Sequence, residues 1–355
     1  MGSEMCIRDR YRYRILVCVT ILQALMNPIA SLVLIRMNGG TAMMRILGIV
    51  GVQICICVPI IVFQFCKGKE FFSKEYWGYA LRIGIPIVPH YLSGIILNQG
   101  DRIMIDKMVG KTEVALYGLA YSIGMLVQLF ISGMNSALTP WMYSKIKKGD
   151  IRSMRKVLQL LSVVVVGIAV ALMLISPELV LIFGSPKYRE AVYVIPPVAA
   201  SVFFIFIYNI LSMPQFYYEK TQFLMVASMA AAGANVVLNF IFIHLFGYIA
   251  AGYTTLACYM LYSVGHYIVS KRILVNEGIQ ENLMSPGFLV ACSVFLIGAS
   301  IICNLIFPYR ILRYAILLAS AGLVFWKKEL LLKTCLLYTS DAADESYACR
   351  SRWSP

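Results

Sequence analysis

From Val157 to Phe183 the chain runs for 27 residues with Glu178 as its single charged side chain. A helix of about 20 apolar residues crosses the roughly 30 Å hydrocarbon layer of a bilayer, and runs of this kind recur along the whole sequence. A composition of 60% hydrophobic and 14% charged residues, with a mean hydropathy of +0.77, leaves a soluble domain too little polar surface to face water. Barrel strands would alternate polar and apolar residues over short segments, and no such alternation is present. The sequence therefore predicts an all-α, polytopic transmembrane helix bundle.

The two ends read differently from the rest. Met1–Arg10 (MGSEMCIRDR), Cys335–Glu345 (CLLYTSDAADE) and Cys349–Pro355 (CRSRWSP) resemble translated sequencing-adapter DNA. On that reading residues 1–10 and 335–355 are artefactual, and the natural sequence runs from Tyr11 to about Thr334. Setting them aside takes Lys+Arg from 31 to 27 and Asp+Glu from 17 to 12, a net charge of +15, and takes cysteine from 10 to 7.

Ten spans are predicted, at 14–36, 42–66, 80–106, 113–138, 157–183, 190–213, 222–246, 248–270, 287–307 and 311–332. The longest loops, at Cys66–Gly78, Tyr143–Arg155 and Lys271–Ser285, are too short for a folded domain. One set of ends and loops holds 18 of the 27 Lys and Arg and the opposite set holds 9, which puts both ends of the segment in the cytoplasm. Asn27 to Met43 aligns without a gap on Asn235 to Ala251, with Asn27/Asn235, Ile35/Ile243, Gly39/Gly247 and Ala42/Ala250 identical. Both copies begin on the cytoplasmic side, so the repeat is parallel, about an axis along the membrane normal.

Three motifs carry a resemblance to a known family. They are Tyr79–Gly110 (YALRIGIPIVPHYLSGIILNQGDRIMIDKMVG), Val114–Ile123 (VALYGLAYSI), and Tyr218–Thr255 with its Glu-Lys-Thr turn, Asn-x-x-Leu-Asn helix and Gly-x-x-Ala-Ala-x-x-Thr hinge. The layout resembles the Wzx-type oligosaccharide flippases of the MOP superfamily, which also holds the MATE exporters. The resemblance implies fourteen spans in two six-helix lobes plus two. Residues 11–66 would then be the last two helices of one lobe, 67–79 a cytoplasmic linker, 80–270 a six-helix C-terminal lobe and 287–334 two additional helices, with four spans lost from the front. It further implies transport of an undecaprenyl-diphosphate-linked oligosaccharide across the bacterial inner membrane for surface polysaccharide biosynthesis. The partners would be that substrate, membrane lipids and polysaccharide polymerase or other assembly proteins. A MATE-type cation-coupled drug exporter is the alternative within transport. A membrane polysaccharide polymerase or sugar transferase is the alternative from another class.

Each candidate site residue carries two readings. Asp101 and Arg102, near the outer end of their span, read as a structural ion pair fixing the turn before Gly110, or as an outer mouth where Arg102 attracts an anionic substrate. Asn98 lies one turn earlier on the same span. Asn235 and Asn239 share a helix face beside the small residues Ala230–Ala234, which suits interhelical packing or substrate contact. Pro86, Pro89, Pro196 and Pro197 read as helix kinks, static or used in rocking. The basic loop Lys145–Lys156 reads as a positive-inside anchor before it reads as a headgroup site. His90, His244 and His266 lack metal-ligand spacing, and no glycine-rich phosphate loop or carboxylate cluster is visible. No cofactor, no metal, no catalysis and no nucleic-acid partner are expected.

Overall fold

The computed structural model describes residues 13–37, 42–68 and 72–326, and the adapter-like ends lie outside them. The helices are α1 (Tyr13–Met37), α2 (Ala42–Gly68), α3 (Lys74–Met108), α4 (Lys111–Gly124), α5 (Leu126–Lys148), α6 (Ile151–Phe183), α7 (Ile195–Tyr217), α8 (Thr221–Phe246), α9 (Ala250–Asn276), α10 (Pro286–Ile306) and α11 (Arg310–Trp326), with a 3-10 segment at Pro186–Val194 leading into α7. Among the described residues, eight helical stretches are long and apolar enough to cross a membrane. The chain divides into two units, Met1–Ala80 and Leu81–Pro355, with the division inside α3.

In the first unit α1 and α2 form a hairpin that crosses at Gly48. A Cβ there would lie 2.7 Å from the Ser31 backbone, and Ser31 Oγ donates to the Arg45 carbonyl at 3.3 Å. Small residues at a crossing let backbones approach where the bilayer supplies no hydrophobic drive. Gly39, the hinge of the first repeat copy, lies outside the described residues. Its proposed counterpart Gly247 ends α8 with φ +75° and ψ −170°, a conformation essentially confined to glycine that costs another residue on the order of 1–3 kcal/mol.

The second unit is built around α7. From Ile195 to Ile207 every residue of this helix is buried, as expected of a helix that is apolar all round. Glycines let neighbours close on it. A Cβ on Gly124 would fall 2.7 Å from Val198, and one on Gly252 would fall 3.1 Å from Pro197. The α4–α5 break at Met125 follows directly on Gly124, so the predicted span 113–138 is two helices. Pro86 and Pro89 lie inside α3. Pro196 and Pro197 instead occupy the first turn of α7, where a missing N–H breaks no bond and the ring fits the helix. The proline inside α7 is Pro214.

Helices also overrun the predicted loops. α5 continues to Lys148 and turns at Gly149 (φ +70°). Asp150 then caps α6, accepting from the Ser153 N–H at 3.2 Å and from Lys145 Nζ at 3.0 Å. The Lys145 ammonium holds the Asp150 carboxyl below its ordinary value of 3.8. Arg313 of α11 grips Glu178 of α6 with two 2.8 Å bonds and donates to the Leu174 carbonyl at 2.7 Å.

Two outcomes follow for stability in detergent. Asp150→Ala removes an N-cap worth about 1 kcal/mol. A carboxylate with a lowered folded-state value stabilises above its ordinary value and loses that contribution as pH falls through it. The difference between wild type and variant is therefore full at pH 7, begins to shrink only below about pH 4, and is gone once the pH lies under the lowered folded-state value, in a denaturation series. Arg313→Ala costs about 3 kcal/mol, the lower end for stripping a buried pair because Glu178 is a quarter exposed. Arg313→Lys keeps the charge but not the two-pronged grip and recovers only part of the loss in the same measurement.

Candidate functional site: a buried carboxylate held by three helices

Along α3 the residues Ser93, Leu97, Asp101 and Ile105 are buried at four-residue spacing, one stripe of a helix facing inward. Asp101 is fully buried. Tyr117 of α4 donates its hydroxyl to Asp101 Oδ2 at 2.5 Å, and Thr255 of α9 donates to the same oxygen at 2.7 Å. Asn239 of α8 donates Nδ2 to Oδ1 at 2.6 Å. Asn239 in turn donates to Asn235 Oδ1 at 3.1 Å and accepts the Thr254 hydroxyl. Three helices thus converge on a single carboxyl borne by a fourth.

No Lys, Arg or His is paired with Asp101 among the described residues. Arg102, its neighbour in sequence, points elsewhere. It donates Nη1 to Gln99 at 2.9 Å, and its guanidinium stands 5.2 Å from the Tyr121 ring centre. The expected Asp101–Arg102 ion pair is therefore corrected, because adjacent helix residues face directions about 100° apart and cannot share one partner. Glu178 shows the contrast, an intramembrane carboxylate that does own a cation.

A second polar group lies one stripe over, where His90, Gly94, Asn98 and Arg102 run along the half-buried edge of α3. Asn98 Oδ1 accepts from Tyr121 of α4 at 2.7 Å and from Tyr259 of α9 at 3.1 Å, while its Nδ2 donates to Gly94 O at 2.7 Å. The five candidates therefore fall into two linked clusters, Asp101 with Asn235 and Asn239, and Asn98 with Arg102 through Tyr121. The four prolines join neither. Tyr117, Tyr121, Thr255 and Tyr259 were not singled out in the sequence, although the first three lie inside the quoted motifs, and Thr254 entered only as the last residue of the hinge motif. The available signal was α9 itself, whose Thr255, Tyr259, Tyr262, His266 and Ser270 recur every three or four residues and are all buried.

Energetics bear on the state of Asp101. A charged side chain at the bilayer centre costs about 2.5–3.5 kcal/mol, and hydrogen bonds to a charged group return about 1.5–3 kcal/mol each. Three donors can hold the carboxyl in place, yet they bring no opposite charge. Asp101→Leu strands all three and destabilises the protein by about 3 kcal/mol or more. Tyr117→Phe strands none and removes one bond, for about 1 kcal/mol, measured by denaturant titration in detergent.

A family model described as "Polysaccharide biosynthesis protein" matches residues 11–147, and the MatE model matches residues 86–241. The chain is 29% identical over 172 residues to "Lsg locus putative protein 1" of Haemophilus influenzae, covering 45% of this chain and 41% of that protein. It is 29% identical over 167 residues to an "Uncharacterized membrane protein" of the same organism, covering 44% and 40%. The chain thus spans about two-fifths of the length of the curated relatives it matches. No solved structure matches it. The two family models overlap on residues 86–147, the segment that brings Asp101, Tyr117 and Tyr121 together. The chain is a multi-pass membrane protein that is similar, over residues 11–147 and 86–241, to the polysaccharide biosynthesis and MatE families, and these matches indicate the MOP superfamily.

Proposed function

We propose that the protein of which this chain is part moves lipid-linked oligosaccharide units across the bacterial inner membrane by alternating access, with Asp101 as its charge-responsive hub. The observation that carries the reading is the Asp101 cradle, a buried carboxyl with donors from three helices and no cation. Such a group is neutralised by a proton, or by a monovalent cation taking the carboxylate with the Asn235, Asn239 and Thr255 oxygens. Either event changes how tightly α3, α4, α8 and α9 are held together. A ligand shifts a two-state transporter only through different affinity for the two states, and a hub that unites four helices in one state supplies that difference. In this reading residues 80–270 form the C-terminal lobe, 11–66 the last two helices of its partner lobe, 67–79 the linker and 287–334 the added pair. Arg102, Asn98 and Gln99 line the substrate edge of α3. The two-to-one Lys and Arg bias supports cytoplasmic ends, and the cycle contains no catalytic step.

The MatE match favours a second reading, a cation-coupled exporter of small molecules. The two separate in one experiment with the full-length gene in a strain lacking its own oligosaccharide flippase. The proposal expects surface polysaccharide to be restored by the wild type and lost, with normal membrane levels of protein, in Asp101→Asn. Restoration of drug resistance without surface polysaccharide favours the exporter, and unchanged polysaccharide in Asp101→Asn removes the hub from the mechanism.

A further inference from the structure

Below the Asp101 hub, toward the end of α7 that leads into the Tyr218–Thr221 turn, a polar chain continues that neither the family matches nor the hub explains. α7 and α9 run parallel here, since Tyr208 stacks nearly parallel to Tyr259 with ring centres 6.2 Å apart and Gln215 meets His266 at 2.8 Å. α3 runs antiparallel to α9 and brings His90 Nδ1 to the Tyr262 hydroxyl at 3.0 Å. The Tyr262 ring stands edge-on to His266 at 4.5 Å. His266 and Gln215 are both fully buried.

Hydrogen-bond bookkeeping fixes the roles. Gln215 Nε2 donates to the Leu211 carbonyl at 3.4 Å and to His266 Nδ1. A ring nitrogen that accepts carries no proton, so His266 is the neutral Nε2–H tautomer. Two polar atoms of the pair are left over, buried without partners among the described residues: His266 Nε2 and Gln215 Oε1. The unused oxygen sits on the same amide that now donates to the ring. Rotating that amide by half a turn presents Oε1 to Nδ1, where it can accept from a protonated ring.

We propose that His266 and Gln215 form a proton-binding site in which protonation of Nδ1 flips the Gln215 amide and loosens α7 from α9. As packed, a proton added to Nδ1 sets two donors against each other and places a cation in a fully buried position, which is costly. The flip restores the hydrogen bond but gives up the bond to Leu211 near the end of α7. The groups facing the ring offer no counter-charge. Tyr208 of α7 and Tyr262 of α9 stand against it, and α3 brings His90 to the Tyr262 hydroxyl behind them. His90 is itself a base, so its protonation adds like charge beside His266 and opposes rather than relieves that of His266.

The sign follows from linkage. A histidine that is neutral when packed and ordinary when loosened leaves packing intact above its ordinary value of about 6.5 and opposes it below. At pH 5 one such site raises the ratio of loosened to packed lobe by about thirtyfold. The transporter reading above enters only in what the loosening does, namely open the lobe at the end where α7 meets the turn.

The test uses the purified chain in nanodiscs, without any transport assay. Hydrogen exchange of residues 208–217 and 259–270, corrected for intrinsic pH dependence, is compared from pH 8 to pH 5. The proposal expects exchange to rise by about thirtyfold in wild type, to lose that rise in His266→Gln, and to show a smaller rise in Gln215→Glu, whose carboxylate lets the protonated ring stay packed. Nitrogen NMR of labelled histidine in the wild type gives a readout that needs no variant: in the packed form His266 Nδ1 stays an unprotonated acceptor across the same range, and a ring that takes up a proton there without any rise in exchange contradicts the proposal. Exchange that is flat with pH in wild type, or a rise that survives in His266→Gln, overturns the proposal.

Discussion

The second unit depends on one buried carboxyl that has donors but no opposite charge. Asp101 draws Tyr117, Thr255 and Asn239 from three helices onto α3, and Asn239 extends the network to Asn235 and Thr254. In water such bonds compete with solvent and contribute about 1 kcal/mol each. Inside a bilayer an unmet donor has no alternative partner, so the same bonds decide which face of each helix turns inward. The geometry of α3, α4, α8 and α9 around Asp101 is a consequence of that requirement. A charge added to or removed from this point is felt by all four helices together.

The bilayer also explains what could be read from the sequence and what could not. Hydropathy locates the spans, because length and apolarity are what the hydrocarbon layer demands. It does not locate helix ends, since Lys and Arg at helix termini reach back to the interface, and α5 therefore runs through a predicted loop to Lys148. Nor does it tell core from lipid face. Val198 and Phe203 on α7 are buried, whereas Phe240 and Leu245 on α8 are exposed, yet all four are equally apolar. In lipid both environments favour the same residues, so the amphipathic period that marks a soluble core is missing.

Polar residues carry the signal that apolar ones lose. The three motifs that suggested the family, at Tyr79–Gly110, Val114–Ile123 and Tyr218–Thr255, are far apart in sequence but meet at Asp101 in space. Asn98, Asn235, Asn239 and Arg102 were legible because amides and charges are rare within spans. Tyr117 and Thr255 were not, because a lone hydroxyl can bond to its own helix and so needs no distant partner. The ion-pair reading of Asp101 and Arg102 took sequence adjacency for spatial adjacency, which a helix denies to neighbours. Pro196 and Pro197 were taken for interior kinks because the 3-10 segment at Pro186–Val194 is continuous with α7 in hydropathy and separate from it only in backbone geometry.

Infrared difference spectroscopy of protein labelled at its aspartate carboxyl carbons, recorded in lipid against Asp101→Asn, tests the central claim most directly. The account predicts a band assigned to Asp101 that changes between its protonated and ionised positions with pH, or shifts when sodium replaces choline at constant ionic strength. An Asp101 band that ignores both proton and cation would contradict it.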